Sequence, residues 1–107
     1  MNLDPVSEIL PLIGSKEGIM HISMGFVNPG DEVLVPDPGY PTYSSVTSLV
    51  GGIIRTYALD EKSGWQPDLD ALEKEDLRRV KLMWTNYPNM PTGAPGSPGL
   101  FSRLVTF

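Results

Sequence analysis

The sequence predicts an α/β fold, a partial three-layer sandwich with a mostly parallel sheet between helices. Three observations lead there. Short apolar segments rich in Val and Ile alternate with longer segments that suit helices. The 11 Gly and 11 Pro of the 107 residues stand at the borders of those segments instead of clustering. No internal repeat occurs, and no linker is long enough to divide the chain, so residues 1–107 read as a single partial domain with a modest core.

Taken in order, Glu8 to Ile13 is a short apolar stretch ending at Gly14 and is expected to be a buried strand despite Pro11. Ser15 to Val27 follows as a helix. Ile19, Ile22 and Phe26 make one apolar stripe and Met20, Met24 and Val27 a second, so this helix is expected to be buried on both faces. Asn28-Pro29-Gly30-Asp31 is a turn, and Glu32 to Val35 a strand stopped by Pro36. Pro41 to Val50 forms a second helix, with Pro41 tolerated in its first turn. Gly51-Gly52 ends it, and Ile53 to Ala58 is the next strand. Asp60 to Pro67 is a polar turn region, Asp68 to Leu77 a short helix with Asp at its start, and Val80 to Thr85 a strand. A further helix spans Gly99 to Phe107. From the abrupt ends of this plan, an excerpt of a larger α/β domain is expected. Uncovered sheet edges and helix faces then predict self-association into a homo-oligomer.

Composition narrows the functional classes. A net charge of -5 with only eight basic residues argues against a nucleic-acid partner, which needs Lys and Arg to neutralise phosphates. The one basic pair, Arg78-Arg79, sits beside Glu73, Glu75 and Asp76 and reads as a solvated helix end. No apolar run approaches a membrane span and no basic apolar leader is present, so no membrane partner is expected. Zero Cys excludes disulfides, thiolate catalysis and thiolate metal sites, and fits a cytoplasmic protein. His21 is the single histidine and is expected as a packed helix residue, which leaves no metal site and no catalytic triad. Trp65 and Trp84 read as packing residues. Asp68, Asp70, Glu73, Glu75 and Asp76 read as a solvated helix face.

Three motifs carry chemistry. Gly14-Ser15-Lys16-Glu17-Gly18 opens the first helix, where free N–H groups and the helix dipole favour a phosphate. Read alone, Ser15 as a mere helix cap and Lys16 as a solvated charge is the preferred alternative, and the spacing is not that of a P-loop. Asn28 to Tyr43 contains Pro36-Asp37-Pro38-Gly39-Tyr40, which presents Tyr40 just beyond the carboxyl end of a strand, where ligands bind in open α/β sheets. Its ring could stack on a flat heteroaromatic group, or simply pack in the turn. Asn86-Tyr87-Pro88-Asn89-Met90-Pro91-Thr92-Gly93 is the third.

In this order, the three motifs resemble those of the class I/II aminotransferases of fold type I, which use pyridoxal 5'-phosphate. The Gly-Ser-Lys-Glu-Gly turn is similar to the version in the LL-diaminopimelate aminotransferase branch of that family. The resemblance covers nearly the whole chain and implies the central part of the cofactor-binding large domain. It implies Ser15 and Lys16 at the cofactor phosphate, Tyr40 over the pyridine ring, and Lys16 and Tyr40 near substrate. In the third motif the family places an Asn before the proline, bonded to the cofactor's phenolic oxygen. This chain has Met90 there, a poor acceptor and no donor, so Asn89 or Asn86 would have to substitute. The family's Asp at the pyridine nitrogen, its Schiff-base lysine and its carboxylate-binding arginine all come later. None of them can be placed in Ala94 to Phe107, which holds neither Asp nor Lys.

Lys16, Lys62, Lys74 and Lys81 stand in the wrong context for that lysine, so the chain itself is expected to contain no catalytic residue, to bind pyridoxal 5'-phosphate weakly or not at all, and not to transaminate. The complete enzyme would act on an amino acid and a 2-oxo acid. The alternatives are a piece of another fold type I enzyme such as a lyase, a non-catalytic binding or oligomerisation module, and an unrelated doubly wound domain holding a nucleotide phosphate at Gly14–Gly18.

Overall fold

The computed structural model describes residues 2–107. Helix α1 (Ser15–Phe26) is followed by β1 (Glu32–Asp37), α2 (Pro41–Leu49), β2 (Ile53–Ala58), α3 (Leu69–Leu72), β3 (Val80–Met83) and α4 (Pro98–Thr106), with a 3-10 turn at Glu61–Ser63. The strands form one sheet in the order β2-β1-β3, and both pairings are parallel.

The central position of β1 follows from its composition. Val33, Leu34 and Val35 are almost completely buried, as a strand covered on both faces requires. Alternation sends Val33 and Val35 to one side, against Ile19, Val27, Tyr43 and Val46. Leu34 points to the other side, against Tyr57, Leu59, Leu69 and Leu72, with Leu104 and Phe107 at its margin. Helices α1 and α2 therefore cover one face and α3 and α4 the other, which makes three layers. Moving from β1 to β2 with α2 on one face, then back past β1 to β3 with α3 on the other, keeps both crossovers right-handed. An ion-pair cluster ties one end of this sheet together. Arg55 on β2 donates to Glu32 on β1 at 2.7 Å, to Glu75, and to the Asp76 carbonyl at 2.7 Å.

Four sequence expectations are corrected. Glu8–Ile13 is not a strand but an exposed irregular segment. The turn before it is held locally: the Asp4 side chain accepts from Val6 N–H at 3.0 Å and Ser7 Oγ at 2.6 Å, while Glu8 N–H donates to the Asp4 carbonyl at 2.9 Å. Pro11 also removes a ladder donor from the segment. Helix α1 is buried along one line only, Ile19 and Ser23 continuing to Val27, while Ile22, Met24 and Phe26 are 43%, 63% and 62% exposed. It packs on α2 and the sheet by that line, and at its start it touches the N-terminal segment through Leu12, beside Gly18, and through Ile13, whose N–H donates to Glu17. His21 is accordingly exposed and not packed.

The helix expected over Asp68 to Leu77 is four residues long. Asp68 caps it by accepting from Ala71 N–H at 2.9 Å. It closes in 3-10-type bonds, Lys74 N–H to the Ala71 carbonyl at 3.2 Å and Glu75 N–H to the Leu72 carbonyl at 3.0 Å, and beyond them Asp76 accepts from Arg78 N–H and the Arg78 guanidinium. The acidic residues here are solvated, with Asp70, Glu75 and Asp76 paired to Arg103, Arg55 and Arg78. Among the described residues no helix is long and apolar enough to cross a membrane.

Candidate functional site

An open cleft of about 410 Å³ lies where the carboxyl ends of β1 and β3 meet the start of α1, lined by Ser15, Ile19, Tyr40, Tyr43, Asn86 and Met90. Each wall comes from a different motif.

The first wall is the α1 N-terminus. The cap position belongs to Gly14, whose backbone is extended, and no side chain caps the helix. Ser15 is thus the first helical residue, and its hydroxyl is not spent on capping. The Glu17 carboxylate, in the first turn, reaches back to accept from Ile13 N–H at 2.7 Å. Unpaired N–H groups at a helix start favour an anion. Lys16 is exposed beside them and is not among the cleft-lining residues.

The second wall is aromatic. After β1 the chain folds back sharply at Gly39, where any Cβ would collide with the Pro36 carbonyl and ring. This puts Tyr40 at the cap of α2 and Pro41 in its first turn. The Tyr40 ring meets Tyr43 edge-on at 5.7 Å, and Tyr43 stacks on Trp84 at 5.0 Å with the planes 7° apart. Burial, with a smaller effect from Tyr40, pushes the Tyr43 hydroxyl above its ordinary value, so it stays a neutral donor. Trp84 is a packing residue, as expected. Its backbone N–H extends the pairing of β3 by donating to the Leu34 carbonyl at 2.9 Å.

The third wall is the loop after β3. Met90 N–H donates to Asn86 Oδ1 at 3.0 Å, and both residues line the cleft. Asn89 is different: it is 2% exposed, and its Nδ2 donates to Thr92 Oγ1 at 2.8 Å. Its backbone N–H and carbonyl pair with the Ala94 carbonyl at 2.7 Å and Gly93 N–H at 2.6 Å. Asn89 therefore builds the loop from inside, and Asn86 and Met90 present it to the cleft. Of the five residues singled out from the sequence, Ser15, Tyr40 and Met90 come together, while Lys16 and Asn89 stand outside the lining. Ile19 and Tyr43 were missed. Tyr43 follows Tyr40 by three residues in a helix, a spacing that shares a face and could have found it.

A covered parallel sheet with an anion-type helix start and an aromatic wall at its strand ends describes part of the large domain of a fold type I enzyme. The profile of aminotransferase class I and II matches residues 1–106, and the chain belongs to that family, which uses pyridoxal 5'-phosphate. It is 53% identical over 107 residues to LL-diaminopimelate aminotransferase of Desulforudis audaxviator, covering 100% of this chain and 27% of that one. The same enzyme of Moorella thermoacetica is 50% identical over the same shares. Substrate-bound BacF from Bacillus subtilis superposes with a TM-score of 0.90 at 35% identity, over 99% of this chain and 27% of BacF. A probable N-succinyldiaminopimelate aminotransferase from Thermus thermophilus gives 0.88 at 34%, over 99% and 28%. The chain thus spans about a quarter of the length of its curated relatives.

The residues present fit part of the cofactor. The α1 start and Ser15 suit a phosphate, Tyr40 suits the face of a ring, and Tyr43 and Asn86 offer polar handles. No lysine and no carboxylate lines the cleft, so neither a covalent link nor an acidic partner for a ring nitrogen is supplied from within it.

Proposed function

We propose that this chain is part of the cofactor-binding large domain of an aminotransferase. The complete enzyme moves an amino group between an amino acid and a 2-oxo acid. The observation that carries this reading is the convergence of Ser15, Tyr40 and Met90, from three separate motifs, on one cleft at the carboxyl ends of parallel strands. Identities of 45–53% to relatives named for LL-diaminopimelate support that compound as the amino acid.

Pyridoxal 5'-phosphate, when bound, supplies an aldehyde and an electron-accepting ring for the transfer. Ser15 and the N–H groups at the start of α1 bind its phosphate, and Lys16 adds positive charge from the exposed side, near substrate. Tyr40 lies against the ring and borders the substrate, kept at its angle by Tyr43. Asn89 holds the loop that forms the far wall, and Met90 closes that wall with an apolar side chain. Lys16, Lys62, Lys74 and Lys81 are all exposed and none lines the cleft. The chain by itself therefore binds the cofactor without transaminating.

The test is a titration of the chain with pyridoxal 5'-phosphate, competition by inorganic phosphate, then borohydride reduction and peptide mapping. Saturable binding relieved by phosphate, with no single stoichiometric lysine adduct, is the expected result. Absence of saturable binding overturns the assignment of the cleft. One stoichiometric adduct at one lysine overturns the claim that no amine serves it.

A further inference from the structure

The loop after β3 carries an oriented hydrogen-bond donor, and the structure decides between the two Asn that the motif left open. Asn86 follows the last residue of β3 by three positions and is part of the cleft lining. Met90 N–H donates to it at 3.0 Å. A backbone N–H can only face an acceptor, so this contact assigns the near atom of the amide as Oδ1. The remaining atom, Nδ2, is then the free end, and among the described residues no group accepts from it. The amide cannot rotate to hide its NH2 without setting donor against donor at Met90. The neighbouring candidate, Asn89, is closed off: it is 2% exposed and its NH2 is spent on Thr92. Met90 itself offers the cleft only a thioether.

We propose that Asn86, through its Nδ2, is the residue that donates a hydrogen bond to the ring oxygen of the bound pyridoxal phosphate, in place of the side chain at position 90. The inference rests on the cofactor reading above and names one atom of it. Ser15 at the α1 start, the aromatic pair Tyr40 and Tyr43, and Asn86 all line this one cleft. A ligand with its phosphate at α1 and its ring against Tyr40 shares the cleft with Asn86, the one amide in the lining. The backbone contact from Met90 orients this donor in advance, which lowers the rotamer freedom left to lose on binding. Substitution at position 90 therefore leaves the donor in place, so long as the residue there keeps its N–H.

The experiment uses the whole chain and two probes, pyridoxamine 5'-phosphate and its 3-deoxy analogue, which lacks the ring oxygen. Neither has an aldehyde, so exposed lysines do not react with them. Trp84, stacked on the cleft residue Tyr43 at 5.0 Å, reports binding by fluorescence, and calorimetry gives the constants. A hydrogen bond of this kind makes the parent bind pyridoxamine phosphate about tenfold more tightly than the deoxy analogue. Asn86→Asp keeps the acceptor for Met90 N–H and removes the donor. It is expected to abolish that preference while circular dichroism stays unchanged. Asn86→Ala gives the same loss of preference, so the conclusion does not depend on the added charge of Asp.

A parent that binds neither probe overturns the cofactor reading and this inference with it. A parent that binds both equally, or variants that keep the tenfold preference, overturn the role of Asn86 alone and leave the cleft assignment standing.

Discussion

Replacing Tyr57 by Phe removes one oxygen that links β2 to the chain just beyond β3. Tyr57 lies on β2 with its ring in the core that includes Leu34, Leu69 and Leu72, and it is 6% exposed. Its hydroxyl donates to the Trp84 carbonyl at 2.6 Å, immediately beyond the end of β3 and beside the Tyr43 stack that forms the cleft wall. Phe keeps the ring packing, so the cost is that of one buried hydrogen bond and a carbonyl left without its partner, about 1–2 kcal/mol. That is a factor of about 5–30 in the folding equilibrium.

Burial, helped by Tyr87 and Tyr43, holds the Tyr57 hydroxyl well above its ordinary value of 10.0. The neutral form is therefore the one that folding favours. Its contribution is complete below the unfolded-state value and is lost as pH rises from there through the folded-state value. The Phe variant has no such group. Urea unfolding at neutral pH should show a lower midpoint with an unchanged slope, and the gap between parent and variant should narrow above pH 10.0. Equal midpoints at neutral pH, or a gap that widens with alkalinity, would refute the reasoning.

Two other substitutions separate the core from the cleft. Leu34→Ala empties a fully buried site on β1 and should cost about 2–5 kcal/mol in the same urea assay, without changing the affinity of the folded fraction for pyridoxamine phosphate. A cost below that range would mean that the site is less tightly packed than its 1% exposure implies. Gly39→Ala sets a Cβ against the Pro36 carbonyl, and should lower stability by about 1–3 kcal/mol while weakening pyridoxamine phosphate binding through a displaced Tyr40. Unchanged binding in a folded Gly39→Ala chain would sink the claim that this turn sets the Tyr40 position.

The sheet was legible because its strands carry strong local signals. Ile53 to Ala58 is the same in sequence and structure, and β1 needed only an extension from Val35 to Asp37. That extension was hidden by Pro36, which blocks a strand only where its missing N–H would have been paired. The failures share a cause: apolar pattern alone does not say whether a partner exists. Ile9, Leu10, Leu12 and Ile13 read as core and are exposed, since among the described residues no strand lies beside them to accept their backbone bonds. Helix α1 shows the same limit. Its two apolar stripes were visible, but the buried line runs through Ile19, Ser23 and Val27 and so combines one residue from each stripe with a serine. No hydropathy pattern marks Ser23 as an interior residue, because its burial is set by how closely α1 approaches its neighbours.

The site was legible in the positions of its motifs and not in the roles within them. Ser15 and Tyr40 could be placed because a helix start and a strand end are backbone events that Gly and Pro announce. The loop Asn86 to Gly93 could not be apportioned in that way. It contains two Asn of identical chemistry, and only folded geometry decides that one is spent inside the loop on Thr92 while the other stands at the cleft. The substitution at Met90 looked in the sequence like the loss of a contact. In the structure the side chain at 90 and the backbone at 90 do separate jobs: the thioether lines the cleft, and the N–H orients Asn86 whatever the side chain is. A backbone donor is kept by any residue except proline, so a donor oriented in this way survives a change that would remove a side-chain donor outright.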